Sequence, residues 1–321
     1  MLRGYRFGPY KQVRWENEET LDFNTLDDCI WVDACNLSPN QLQKLEEHFN
    51  IRFPSKQEQQ EIETSSRYQE ENGQTRIVLR LIEVRPSEEG LNLNEQTLSL
   101  IWKENKIFSY RTNGSRTIQE LIKKLKNKPD NFHDSLELLL SIFGQIVDTD
   151  ADNIELISQH IYRIATSLHE VGFAERQRII LQTQALQEFI IRIREGLFDI
   201  QRVLSSMIRS THLTDKPRDI LRALLKDIAS LIDHTNFSFQ RLESIQNTIL
   251  SLINLEQNRI IKIFTVITVV FMPPTLIASI YGMNFRYMPE LEWKIGYVFA
   301  WALIVGSSIF TLLYFRWKKW L

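Results

Sequence analysis

Ile260-Ile-Lys-Ile-Phe-Thr-Val-Ile-Thr-Val-Val-Phe-Met-Pro-Pro-Thr-Leu-Ile-Ala-Ser-Ile280 carries one charge, Lys262. Ile295-Gly-Tyr-Val-Phe-Ala-Trp-Ala-Leu-Ile-Val-Gly-Ser-Ser-Ile-Phe-Thr-Leu-Leu-Tyr-Phe315 carries none. Each run is 21 residues, about 31 Å at a helical rise of about 1.5 Å per residue, the depth of a bilayer core. Trp293 and Tyr297 stand at one end of the second run and Trp317 and Trp320 at the other, as interfacial aromatics do. Arg259 and Lys262 open the first run, Arg316, Lys318 and Lys319 follow the second, and the loop between them is charge-balanced. The positive-inside rule therefore predicts two spans in the lipid bilayer, both chain termini in the cytoplasm and the loop outside. No apolar run follows the basic residues of Met1-Leu-Arg-Gly-Tyr-Arg-Phe7, so no signal peptide is expected.

The rest of the 321 residues supports a folded cytosolic part. Lys and Arg number 38 against 40 Asp and Glu, which removes a bulk electrostatic case for nucleic-acid binding. A composition 43% hydrophobic and 24% charged excludes a disordered chain, and two cysteines, Cys29 and Cys35, exclude a disulfide framework. Runs rich in β-formers at 29–33, 76–84, 97–102 and 106–110 predict strands, the last two joined by a turn at Lys103-Glu-Asn105. Ser38-Pro39 starts a short helix. Helical patterning over 134–168 and 173–208, split near Gly172, predicts an antiparallel pair. Thr214-Asp-Lys-Pro217 starts a further helix that meets no Pro or Gly until Pro273. A helix from Pro217 to Ser279 would be about 95 Å long and should pack against copies of itself.

The divisions expected are an α/β cytosolic domain over 1–213, a helical stalk over 214–259, spans over 260–280 and 295–315, an outer loop over 281–294 and a basic tail over 316–321. Steps of three and four along the stalk select Ser244, Asn247, Ser251, Asn254, Asn258, Ile261, Thr265, Thr268, Met272 and Thr275. The spacing is that of a coiled-coil seam, but the seam is polar. Leu242, Ile245, Ile249, Leu252, Leu255 and Ile260 form an apolar edge suited to neighbouring helices. A helix lining water needs that arrangement, and hydroxyl packing between membrane helices produces it too, so the stripe alone leaves both open.

Tyr281-Gly-Met-Asn-Phe285 directly follows the first span, and Met288-Pro-Glu-Leu291 comes next. In the outer loop of a two-span hairpin these motifs resemble the CorA family of magnesium transport proteins. The resemblance runs the whole length, through Ile253-Asn-Leu-Glu-Gln-Asn-Arg-Ile-Ile-Lys-Ile-Phe264, Phe271-Met-Pro-Pro-Thr275 and the Trp320-Leu321 end. Trp31-Val-Asp33 and Glu61-Ile-Glu-Thr-Ser-Ser-Arg67 are similar to its enterobacterial branch. It implies a funnel-shaped homopentamer in the inner membrane, with the first span lining a pore. Gly282, Met283 and Asn284 would form the outer selectivity ring. Asn247, Ser251, Asn254, Asn258, Ile261, Phe264, Thr265, Thr268, Met272 and Thr275 would line the conduit, and Phe264 and Thr265 compete for the axis. Mg²⁺ would be transported, with Co²⁺ and Ni²⁺ as further candidate ions, and would also close the path from inside by bridging acidic residues of neighbouring copies; Glu88 and Glu89 after the long strand, with Asp227 or Asp233 on the stalk, are the candidates by position. Glu290 and Glu292 are candidates for drawing cations to the mouth.

Asp148-Thr-Asp-Ala-Asp152 begins like a calcium loop, but Asn153 stands in place of its glycine and Gln159 in place of its bidentate glutamate, so it reads as acids near a helix start. The histidines show no metal-ligand spacing, no nucleotide-binding or catalytic constellation appears, and no resident cofactor is expected. Zinc transport of the ZntB type is the second reading. A membrane-tethered scaffold or signalling module is the reading from another class, and an enzyme is not expected.

Overall fold

The computed structural model describes residues 1–6, 11–15, 23–60, 67–88, 90–127, 134–168, 172–210 and 214–318. It divides into two compact units, Met1–Gln246 and Asn247–Leu321. Of the residues singled out above, Glu61 to Ser66, Glu89, Lys319, Trp320 and Leu321 lie outside the described set.

The first unit is built on a seven-stranded sheet in the order β2-β1-β3-β7-β6-β5-β4. The strands are β1 (Leu2–Arg6), β2 (Lys11–Trp15), β3 (Trp31–Cys35), β4 (Tyr68–Glu71), β5 (Gln74–Ser87), β6 (Gly90–Lys103) and β7 (Lys106–Arg111). β3 pairs parallel with β7, and the other pairings are antiparallel. The expected turn between β6 and β7 is present, with Glu104 at φ 52°. Asn72 and Gly73, both at positive φ, close the β4–β5 hairpin, the chemistry a two-residue turn demands. On one face α1 (Pro39–Phe49) starts at Ser38, whose hydroxyl accepts from the Gln41 amide while the Gln41 side chain accepts from the Ser38 amide. Its Leu45 joins Leu2, Leu26, Val32, Phe53, Ile101 and Phe108 in a closed core. A short α2 (Lys56–Gln60) follows.

Helices α3 (Arg116–Asn127), α4 (Ser135–Ser167) and α5 (Phe173–Ser210) all contact β5. Beyond residue 77 one edge of β5 has no partner strand among the described residues, and Asn153 of α4 bonds to it there. Its carboxamide donates to the Ile82 carbonyl at 2.8 Å and accepts from the Val84 amide at 3.0 Å. This corrects the reading of 148–152 as acids near a helix start. They lie in mid-helix, where Asp150 is buried, its Oδ2 without a hydrogen-bond partner among the described residues, and burial pushes its carboxyl well above the usual range.

Two buried polar groups fix this unit. Trp31 Nε1 donates to Ser109 Oγ at 2.9 Å, Ser109 donates to Asp33 Oδ1 at 2.7 Å, and the Arg111 guanidinium donates to both Asp33 oxygens. Asp33→Ala leaves Arg111 charged and buried without its carboxylate. We expect a loss of about 3–5 kcal/mol in denaturant unfolding followed by tryptophan fluorescence, with much of it recovered in Asp33→Leu/Arg111→Met.

Glu83 of β5 caps α3 from outside the helix, accepting from the Ser115 hydroxyl at 2.7 Å and the Arg116 amide at 2.6 Å. Burial alone would raise this carboxyl. The hydrogen bonds from Ser115, Arg85, Thr117 and Arg116 outweigh burial and hold it below its ordinary 4.5. A carboxyl lowered in the fold stabilises above its unfolded value and loses that contribution as pH falls through the folded one. Stability of the wild type should therefore fall below about pH 4.5 more steeply than that of Glu83→Gln, which denaturation midpoints across pH 3–6 will measure.

One helix, α6 (Asp215–Tyr281), runs for 67 residues, about 100 Å at roughly 1.5 Å each. Within the first unit it lies against the chain's own helices: Gln246 Nε2 donates to Thr183 Oγ1 at 3.3 Å and Gln187 Oε1 at 3.1 Å. Leu242 and Ile245 are buried there, so this end of the apolar edge packs inside the chain and not against neighbouring copies. Leu255 and Ile260, further along, are exposed. The second unit ends in α7 (Gly296–Trp317), which has no buried residue. Its apolar window and that of α6 are almost wholly uncovered, which is unlike a soluble core helix and suits lipid.

Candidate functional site

The stripe is a continuous exposed face of α6. Asn247, Ser251, Asn254, Asn258, Thr265, Thr268 and Thr275 are all exposed, as are the larger Ile261, Phe264 and Met272. Phe264 and Thr265 stand roughly 100° apart on either side of its midline, so both border the same face. Thr268, Phe271, Met272, Thr275, Leu276 and Ser279 surround an open depression of about 490 Å³. Ser279 was missed by the sequence reading, although one further step of four from Thr275 reaches it.

Hydroxyl orientation gives the stripe a polarity. Ser251 donates to the Asn247 carbonyl at 2.8 Å, Thr265 to Ile261 at 2.8 Å, Thr268 to Phe264 at 2.9 Å and Thr275 to Phe271 at 2.7 Å. Each hydroxyl hydrogen is tied back to the preceding turn, so the oxygens present lone pairs outward. Such a row accepts hydrogen bonds from the water shell of a cation and offers little to an anion. Pro273 and Pro274 sit inside the helix and lack N–H groups, so the Val269 and Val270 carbonyls lose their usual helical donors.

Just past the helix end, the Gly282 amide donates to Ala278 O at 2.9 Å and the Met283 amide to Ile280 O at 3.2 Å. Gly282, Met283 and Asn284 are exposed, and the Asn284 carboxamide makes no hydrogen bond among the described residues. A 3₁₀ turn over Pro289–Glu292 carries Glu290 and Glu292. Glu88 lies in an exposed turn, and Asp227 and Asp233 are exposed on α6. Among the described residues no group of three or more His, Cys, Asp or Glu is placed to hold a metal within one chain.

Fold and site together define a two-span membrane protein in which an N-terminal sheet-and-helix unit is followed by a single long helix with a polar face, a short loop and a second apolar helix. The chain belongs to the CorA-like Mg²⁺ transporter protein family, which matches residues 27–319. It is 36% identical over 295 residues to the magnesium transport protein CorA of Wolinella succinogenes, covering 91% of each chain. It is 30% identical over 322 residues to that of Yersinia pseudotuberculosis, covering all of both. The fold is that of the complete CorA magnesium transporter from Methanocaldococcus jannaschii, with a TM-score of 0.79, 21% identity, and 100% of this chain and 99% of that one covered.

Proposed function

We propose that this chain conducts Mg²⁺ into the cytoplasm through a homo-oligomer, taken by family resemblance as a pentamer in the inner membrane with both termini cytoplasmic. The observation that carries the reading is an exposed stripe of acceptor oxygens that leads up a membrane-length helix to Gly282-Met-Asn284. The spans taken are 260–280 and 295–315, with the stalk over 214–259. Mg²⁺ dehydrates reluctantly, so neutral oxygens that bond to its water shell suit passage better than carboxylates that would hold it. Gly282, Met283 and Asn284 select at the mouth, and Glu290 and Glu292 raise the cation concentration outside it. A divalent cation moving inward gains about 4.6 kcal/mol per 100 mV, so no nucleotide hydrolysis is needed and no enzymatic activity is part of this reading.

Ile261, Phe264 and Met272 form the apolar narrowing that closes the path. Closure by internal Mg²⁺ belongs to the same reading, and a bridging site would have to join carboxylates from neighbouring copies. Glu88, Asp227 and Asp233 are the described candidates, and Glu89, next to Glu88 in the sequence, is the fourth. Zinc transport is the second reading, set behind magnesium because Gly-Met-Asn precedes Met-Pro-Glu-Leu and the relatives above are named for magnesium. The test is uptake of Mg²⁺, Co²⁺, Ni²⁺ and Zn²⁺ into liposomes holding the purified protein at an imposed inside-negative potential. Potential-dependent Mg²⁺ entry supports the proposal; entry of Zn²⁺ alone, or none, refutes it.

A further inference from the structure

The loop between the two spans is seated on the start of α7 at one atom that is not there. A Cβ placed on Gly296 would overlap the Glu290 carbonyl oxygen and would lie 3.5 Å from that carbonyl's carbon and 3.6 Å from Trp293 Cβ. The obstacle is backbone, which has no rotamer to move aside. The same carbonyl accepts from the Trp293 amide at 3.4 Å, and the Gly296 amide donates to Trp293 O at 3.1 Å. The Trp293 ring packs on Phe299 one turn into the helix, centroids 5.9 Å apart. A 3₁₀ turn, a tryptophan and a glycine thus form one compact corner.

From this geometry we infer that Gly296 is a positioning residue for the outer mouth: its bare Cα lets the Pro289–Glu292 turn dock on α7 and so sets where Glu290 and Glu292 stand. The inference rests on the conduction reading for its functional consequence and on the backbone contact alone for its structural one. Any side chain at 296 pushes the turn off the helix start and moves both carboxylates. The family resemblance singles out the motif residues before this glycine and not the glycine itself.

Gly306 supplies a matched control, because a Cβ there meets nothing within 4 Å. Two measurements on the full-length protein test the inference with Gly296→Ala, Gly306→Ala, Glu290→Gln and Gly296→Ala/Glu290→Gln. Hydrogen exchange over the 285–296 segment should quicken in Gly296→Ala and stay at the wild-type rate in Gly306→Ala. The outside Mg²⁺ concentration for half-maximal liposome uptake should rise roughly two- to fivefold in Gly296→Ala, with maximal uptake retained. It should rise in Glu290→Gln, and the double variant should add little further, as expected of residues acting through one arrangement. Unchanged exchange in Gly296→Ala overturns the inference whatever uptake does. Quickened exchange with an unmoved half-maximal concentration, or full additivity in the double variant, overturns the link to the mouth. A wild type that conducts no ion refutes the proposed function, and exchange then still decides whether Gly296 seats the turn.

Discussion

Mg²⁺ uptake by liposomes carrying Asn284→Ala is expected to fall by more than about tenfold against wild type, with helicity and oligomer size unchanged. Asn284 stands one residue beyond Met283, whose amide makes the last bond back to the helix, and its carboxamide is exposed and uncommitted. A carboxamide offers an acceptor to the water shell of an entering cation and carries no charge that would trap it. Each lost hydrogen bond is worth about 1 kcal/mol net, and in a symmetric assembly the loss repeats in every copy, so a tenfold barrier of about 1.4 kcal/mol is readily exceeded. Asn284→Asp separates two explanations. If an oxygen were all that mattered, Asp would conduct normally. If weak binding matters, a ring of carboxylates should bind Mg²⁺ more tightly and still conduct slowly. Initial rates from an entrapped Mg²⁺-sensitive dye, across outside concentrations, measure both. Wild-type rates in Asn284→Ala would remove the residue from selectivity.

The elements that were legible from the sequence are those whose pattern is set by the chain's own periodicity. Uninterrupted helical patterning announced α6 within two residues at each end, and the β-rich runs gave the middle of β5, the second half of β6 and nearly all of β7. β1, with Gly4 at its centre, and β4, reading Tyr-Gln-Glu-Glu, lack an alternating apolar face and depend on partner strands for their conformation. Tertiary contact also decides what period cannot. Asp150 sits in a run that resembles a metal loop, yet Asn153 three residues on bonds to the β5 backbone at Ile82 and Val84, and that face of the helix, Asp150 included, is buried. The apolar edge of α6 carried no sign of which part the chain covers itself. Ser279 was within reach of the same arithmetic that found Thr275. The Gly296 contact was not, because closeness of two backbone segments across a turn leaves no periodic mark.

Phe264→Ala is expected to raise Mg²⁺ entry under closing conditions, when the liposome interior already holds millimolar Mg²⁺, on the order of tenfold. Phe264, Ile261 and Met272 are the large apolar side chains on an otherwise polar face, each more than 60% exposed in the single chain. Apolar side chains converging from several copies narrow a path and make it unfavourable for water, and an ion that keeps its shell cannot pass a dewetted neck. Truncation to Ala removes the ring from every copy at once, widening and wetting the neck; a fall of about 1.4 kcal/mol in the barrier gives the tenfold rise. Nothing buried is disturbed, so the fold should tolerate the change. Thr265→Val is the counterpart on the other side of the midline. If Phe264 borders the axis, its truncation should leak while Thr265→Val slows open-state uptake by losing an acceptor. If Thr265 alone faces the axis, Phe264→Ala should leave both entry and its inhibition by internal Mg²⁺ at wild-type values, and that result would move the gate to Ile261 and Met272.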